Sequence, residues 1–144
     1  VALERFFRLV VFNYIFANGD AHLKNFSVLY LEDGDLQLAP AYDLINTHIH
    51  LNDSDFAMRD GLSPNLEKSD SYEHTGHPCQ DDFRRFGLQI GLSSMRVKAV
   101  LKPFMKFPDQ VQDLIDKSYF ADDKLKRIYR HTIEERRQRF VREA

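Results

Sequence analysis

The run from Leu3 to Ala17 constrains this chain more than any other segment. Its apolar positions Leu3, Phe6, Phe7, Val10, Val11, Tyr14 and Ile15 recur at helical spacing. Phe12 and Phe16 add further apolar surface, so this helix is expected to be buried on most sides. Its phenylalanines are read as core rather than as a cofactor box, and the remaining elements have to pack around them. A chain of 144 residues is ample for one domain and too short for two ordinary ones. Val1 stands where a Met would start a complete protein, and a piece of something longer is expected.

Composition narrows the function classes. With 43% apolar and 29% charged residues, neither disorder nor membrane insertion is expected. No apolar run approaches the roughly 18–20 residues of a membrane span, and no signal peptide is visible. Twenty Lys and Arg against 22 Asp and Glu leave a formal charge of -2, which argues against a generic nucleic-acid binder. One cysteine, Cys79, excludes an internal disulfide framework and fits a reducing, cytoplasmic compartment. The glycines Gly19, Gly34, Gly61, Gly76, Gly87 and Gly91 form neither a G-x-G-x-x-G turn nor a Walker-type loop. Any cover for nucleotide phosphates must come from elsewhere.

After the first helix, Asn18-Gly19 is a stop signal, because both residues tolerate the left-handed conformation. Phe26 to Leu31 reads as a strand, Glu32 to Asp35 as a turn and Leu36 to Ala39 as a partner strand, with Pro40 ending the hairpin. Residues Asn46 to Asp82 are polar and read as a long loop, with a small strand and turn at Asp55 to Gly61. Helices follow over Gln80–Ile90, closed or weakened by Gly87 and Gly91, and then from a Ser93 or Ser94 cap, with a kink at Pro103. A further helix starts with Pro108 at its first position, and a last one runs from Leu125 to Phe140. The chain is mainly α with one small β-hairpin, an α+β order that closes in a helical bundle.

Between the buried helix and the hairpin lies Asn18-Gly19-Asp20-Ala21-His22-Leu23-Lys24-Asn25. An Asp followed five residues later by an Asn, on a loop leading into a strand, is the arrangement of a kinase catalytic loop. There the carboxylate orients the attacking hydroxyl and the amide oxygen ligates Mg²⁺. A second carboxylate is then needed, and Asp43 lies eighteen residues after Asn25, beyond the hairpin. Because a hairpin reverses the chain, its end returns beside its start, which brings Asp43 to Asn25. The competing reading has Asp20 and Asn25 capping turns and Asp43 capping a helix.

The stretch N-G-D-A-H-L-K-N-F-S, with A-P-A-Y-D-L downstream, closely resembles the catalytic core of HipA-like serine/threonine kinases, the bacterial toxin kinases of toxin–antitoxin modules. That family's loop reads approximately N-x-D-x-H-x-[KR]-N, with its metal-binding Asp in P-A-Y-D in place of D-F-G. The resemblance is strong over Asn18 to Leu44 and architectural beyond it. It implies a protein-kinase-like C-terminal lobe over residues 1–144, with the N-terminal lobe outside this chain. It also implies Mg-ATP as phosphoryl source, Asp20 as catalytic base, and Asn25 and Asp43 as Mg²⁺ ligands. Lys24 either neutralises the transferred phosphoryl group, pairs with Asp20, or is a solvated loop lysine. His22 is expected to brace the loop through hydrogen bonds, and Tyr42 to pack under it. The partners implied are a protein substrate, such as an aminoacyl-tRNA synthetase, and a small DNA-binding antitoxin. Two other readings stand beside the protein kinase: a small-molecule phosphotransferase, and a non-catalytic fragment that holds an antitoxin or another lobe.

Two further features are set aside. His48, His50, His74 and His77, with Cys79 nearby, read as a solvated His-rich loop rather than a zinc site. The last helix carries Lys124, Lys126, Arg127, Arg130, Arg136, Arg137, Arg139 and Arg142 among Asp122, Asp123, Glu134, Glu135 and Glu143. It reads as an exposed helix with i,i+4 pairs such as Glu135 with Arg139, and not as a nucleic-acid face.

Overall fold

Phe7, Val11, Tyr14 and Ile15 line one side of helix α1 (Ala2–Ile15), and all four are buried. Phe12 and Phe16 stack on each other at 4.2 Å between ring centroids and are half-buried, so the helix is enclosed mainly along its C-terminal half. The chain is described here by a computed structural model covering residues 2–51, 53–106, 109–119 and 122–142.

A two-stranded antiparallel hairpin follows α1, made of β1 (Val28–Tyr30) and β2 (Leu36–Leu38), with Val28 opposite Leu38 and Tyr30 opposite Leu36. The remaining helices are α2 (Asp70–Thr75), α3 (Gln80–Gln89), α4 (Ser94–Leu101), α5 (Asp109–Lys117) and α6 (Asp123–Val141). The expected α+β order therefore holds among the described residues. The N-terminal position of Pro108 and the charge of Glu143 lie outside them.

Helix α1 packs against α4, α6 and β2, which makes it the centre of the assembly. Tyr14 contacts the Phe83 ring at 5.0 Å, and Phe83 contacts Phe140 at 5.5 Å, so α1, α3 and α6 meet through aromatic edges. Gly87 does not close α3. It sits inside the helix, where a Cβ would lie 2.8 Å from Val97 and 3.0 Å from Phe7, so its lack of a side chain lets α3 approach α1 and α4. Closure falls to Gly91 at φ +97, beside the bond from the Leu92 N–H to the Gly87 carbonyl. Ser93 caps α4 through the Arg96 N–H, and Pro103 falls in a short 3-10 turn at Lys102–Met105 that finishes it.

The polar stretch after the hairpin differs from its expected form in two ways. Residues 53–59 make no strand. Phe56 instead packs against Tyr14 at 5.7 Å and against the core, so this segment is fixed by burial and not by strand pairing. Helix α2 also appears within it, although its six residues carry only one buried side chain, Tyr72. The expected turn does form, at Gly61 with φ +69.

Candidate active site

The loop at residues 18–25 begins with a helix end built on an unexpected residue. Ala17, not Asn18 or Gly19, takes the left-handed backbone at φ 55, and the Asn18 N–H then reaches back 2.8 Å to the Asn13 carbonyl. This frees Asn18 for another role. Its buried side chain donates to Asn13 Oδ1 at 3.1 Å and to the Asp43 carbonyl at 2.9 Å, and accepts from the Asp20 N–H at 3.3 Å. Asn18 therefore ties together the end of α1, the loop and the segment after the hairpin. Sequence reasoning passed over this function, although the leading Asn of the N-x-D pattern was its signal.

Beyond Gly19 the loop folds on itself. Asp20 offers its carbonyl to the His22 N–H at 2.8 Å, and Leu23–Asn25 forms a 3-10 turn closed by the Asn25 N–H on the His22 carbonyl at 2.9 Å. These backbone bonds point the Asp20 side chain outward, and Asp20 is exposed. Asn25 points inward with 7% of its surface exposed, and its Nδ2 donates to Asp43 Oδ2 at 2.7 Å. The hairpin therefore brings Asn25 and Asp43 together, as the spacing predicts. Asp43 stands at φ 55, a left-handed conformation that Asp tolerates better than most side chains, and it caps no helix.

Tyr42 locks this return. Its hydroxyl donates to the Lys24 carbonyl at 2.6 Å and lies 2.6 Å from Ser27 Oγ, which joins the far side of the hairpin to the loop. The expected packing of Tyr42 under the loop is thus a pair of polar contacts. Lys24 is exposed and forms no ion pair with Asp20 among the described residues. His22 departs from expectation. Its ring Nδ1 is buried without a hydrogen-bond partner, and the bonds that brace the loop at this position are those of its backbone, N–H to the Asp20 carbonyl and carbonyl to the Asn25 N–H.

The histidine-rich stretch is not a solvated loop throughout. His50 and His74 are exposed, but His48 Nε2 lies 2.6 Å from Arg136 Nη2, and His77 Nδ1 lies 2.7 Å from Asp55 Oδ2. Arg136 also contacts Asp55 and lies over the Tyr14 ring at 5.3 Å. With 1% exposure it is a core residue of a helix read as a solvated face. Burial, reinforced by the Arg136 charge, lowers the His48 pKa below the ordinary imidazole value. The expected pairing of Glu135 with Arg139 is present on the outer side of α6.

A family model for the HipA-like C-terminal domain matches residues 1–113. The chain belongs to this family. A protein of Haemophilus influenzae named "Putative kinase" is 26% identical over 121 residues, covering 78% of this chain and 35% of that protein. "Putative kinase Y4dM" of Sinorhizobium fredii is 42% identical over 55 residues, covering 38% of this chain and 13% of that protein. "Putative kinase Y4mE" of the same organism is 42% identical over 62 residues, covering 42% and 14%. The chain thus spans about a third or less of the length of the curated relatives it matches. Within this HipA-like C-terminal domain the loop, the hairpin and Asp43 all fall in the matched part, and the relatives' names are those of a kinase-like family. No helix among the described residues is long and apolar enough to cross a membrane.

Proposed function

We propose that this domain is the catalytic lobe of a Mg-ATP-dependent serine/threonine protein kinase that passes the γ-phosphoryl group to a protein hydroxyl. The observation that carries the proposal is the 2.7 Å contact between Asn25 and Asp43, made across a hairpin and next to an exposed Asp20. Since a carboxylate only accepts, the Asn25 amide nitrogen faces Asp43 and leaves the Asn25 Oδ1 and the second Asp43 oxygen for a ligand. Two hard oxygens suit Mg²⁺, which takes one or two protein ligands and completes its shell with water and phosphate oxygens.

In this reading Asp20 accepts or orients the proton of the attacking hydroxyl, from a carboxylate held outward by the backbone bonds of its loop. Asn25 and Asp43 hold the metal, whose positive charge offsets that of the phosphates. Lys24, exposed and without a partner carboxylate at Asp20, is free to meet the transferred group. Little covalent chemistry is asked of the protein, and the rate comes from orientation and charge neutralisation. The exposed apolar side chains Val28, Tyr30 and Leu36 support a hairpin covered by the N-terminal lobe, which would also supply the phosphate cover. An aminoacyl-tRNA synthetase as substrate and a DNA-binding antitoxin as partner belong to the same proposal.

Asp20→Ala in the full-length protein is expected to lower phosphoryl transfer by about 10²–10⁴-fold without unfolding it. Undiminished transfer by that variant would sink the assignment. Thiophosphorylation of a cell lysate separates the acceptor classes: a labelled protein band supports the protein kinase, and label confined to small molecules supports a small-molecule phosphotransferase.

A further inference from the structure

Gly19 stands immediately before Asp20 and is held from two sides. Its N–H donates to Thr47 Oγ1 at 2.9 Å. Opposite, a Cβ at this position would lie 2.7 Å from the Asp53 carboxyl carbon and 2.7 Å from the Ser54 carbonyl oxygen. Its φ is not positive, so room, and not backbone conformation, is what demands glycine here. The Asp53 carboxylate therefore rests directly on the backbone of the loop.

His48 touches that carboxylate, and Arg136 faces His48 from the other side of its ring. His48 Nδ1 touches Asp53 Oδ1 without hydrogen-bond alignment, and His48 Nε2 faces Arg136 Nη2 at 2.6 Å. A guanidinium only donates, so Nε2 is the acceptor and the imidazole proton of the neutral ring sits on Nδ1, the nitrogen that touches Asp53. Arg136 is fixed by burial in α6 and by its contact with Asp55, which also meets His77 and Arg139. The charged groups around His48 are thus Arg136 from α6 and Asp53 and Asp55 from its own segment.

We propose that Asp53, held beside neutral His48, which Arg136 fixes in turn, is a positioning residue that braces the loop at Gly19 and so sets where Asp20 stands. Its consequence for catalysis rests on the kinase reading above; the brace itself does not. Protonating His48 sets a second N–H against the Arg136 guanidinium and breaks the contact that fixes His48 to α6, so the brace loses its anchor there in acid. The lowered pKa of His48 keeps that contact intact at neutral pH.

The test uses the full-length protein with Asp53→Ala, His48→Ala and His48→Gln, read by amide hydrogen exchange over residues 19–25 and by kcat against pH. Asp53→Ala and His48→Ala are expected to speed exchange at Gly19 about tenfold or more and to lower kcat about tenfold or more, with KM for ATP nearly unchanged. Glutamine at position 48 offers an acceptor to Arg136 and an N–H beside Asp53 without a titrating ring. His48→Gln should therefore restore much of kcat and lose the acid-side decline of the wild type. Wild-type exchange in Asp53→Ala would overturn the brace, as would an unaltered pH profile in His48→Gln. Absence of phosphoryl transfer from the wild-type protein would overturn the kinase reading alone, since the exchange measurement still decides the brace.

Discussion

Three donors converge on the fully buried carboxylate of Asp82: the Ser69 N–H at 2.7 Å, the Ser69 hydroxyl at 2.8 Å and the Cys79 N–H at 2.9 Å. Such a group is stable inside the core only while all its partners remain, because each abandoned donor keeps its desolvation cost. Asp82→Ala is expected to cost about 3 kcal/mol or more, seen as a lowered midpoint in chemical unfolding, while Asp82→Asn costs less. Asp82 was legible only as a polar position in the first turn of α3, since its partners lie up to thirteen residues away in sequence. Asn25 and Asp43 were legible for the opposite reason. A short hairpin turns a sequence spacing into a spatial contact, and its two apolar runs, separated by the turn residues Glu32 to Asp35, are short enough to be recognised. Arg136 was not legible, because nothing in a run of eight basic residues marks the one whose partner, Asp55, lies 81 positions away.

At the scale of elements, apolar periodicity located α1, α3, α4 and α6, whose buried faces are wide enough to leave a pattern. It missed α2. That helix is held by the Ser69 cap on the Tyr72 N–H, a left-handed Gly76 and the Asp82 contact to Ser69, none of which is a periodic signal. The strand expected at Asp55 to Arg59 failed because Phe56 gains more by entering the core than the segment gains without a partner strand. The end of α1 yields a prediction of its own. Ala17 holds a left-handed backbone that costs a residue with a Cβ about 1 kcal/mol. Ala17 is buried, but its methyl is small, so Ala17→Gly is expected to stabilise by up to about 1 kcal/mol in urea unfolding. A destabilised variant would mean that the buried methyl outweighs the strain.

Across the whole molecule, the contacts of Arg136, Asp55, His48 and Asp53 connect the last helix to the loop at the end of the first. Their pH dependence follows from His48. Its folded pKa lies below the ordinary value of about 6.5, so at acid pH the unfolded chain binds a proton that the folded chain resists. Stability from this group is therefore full above about pH 7 and falls as the pH drops below the unfolded pKa. The thermal midpoint of the wild type should drop between pH 7.5 and 5.5, and that of His48→Gln should drop less. Asp81 and Glu134, whose pKa values are lowered, lose their contribution only in stronger acid, which keeps the two ranges apart. Burial acts against the shift at Asp81, and hydrogen bonds from Arg84 and Arg85 overcome it; at Glu134 the Arg137 hydrogen bond leads.

The sequence by itself determined the local features: a strongly apolar first helix, a hairpin of defined length, and a loop whose Asp and Asn precede a second Asp at the hairpin's end. These follow from interactions among residues close in the chain, which leave spacing as their record. Tertiary structure alone decided that the polar stretch after the hairpin would become the support of the loop. Thr47 and Asp53 reach Gly19, and Arg136 reaches His48, from distances in sequence at which no spacing rule operates. Burial supplied the selection, because a charged side chain enclosed by packing must find its partner wherever the fold has brought one.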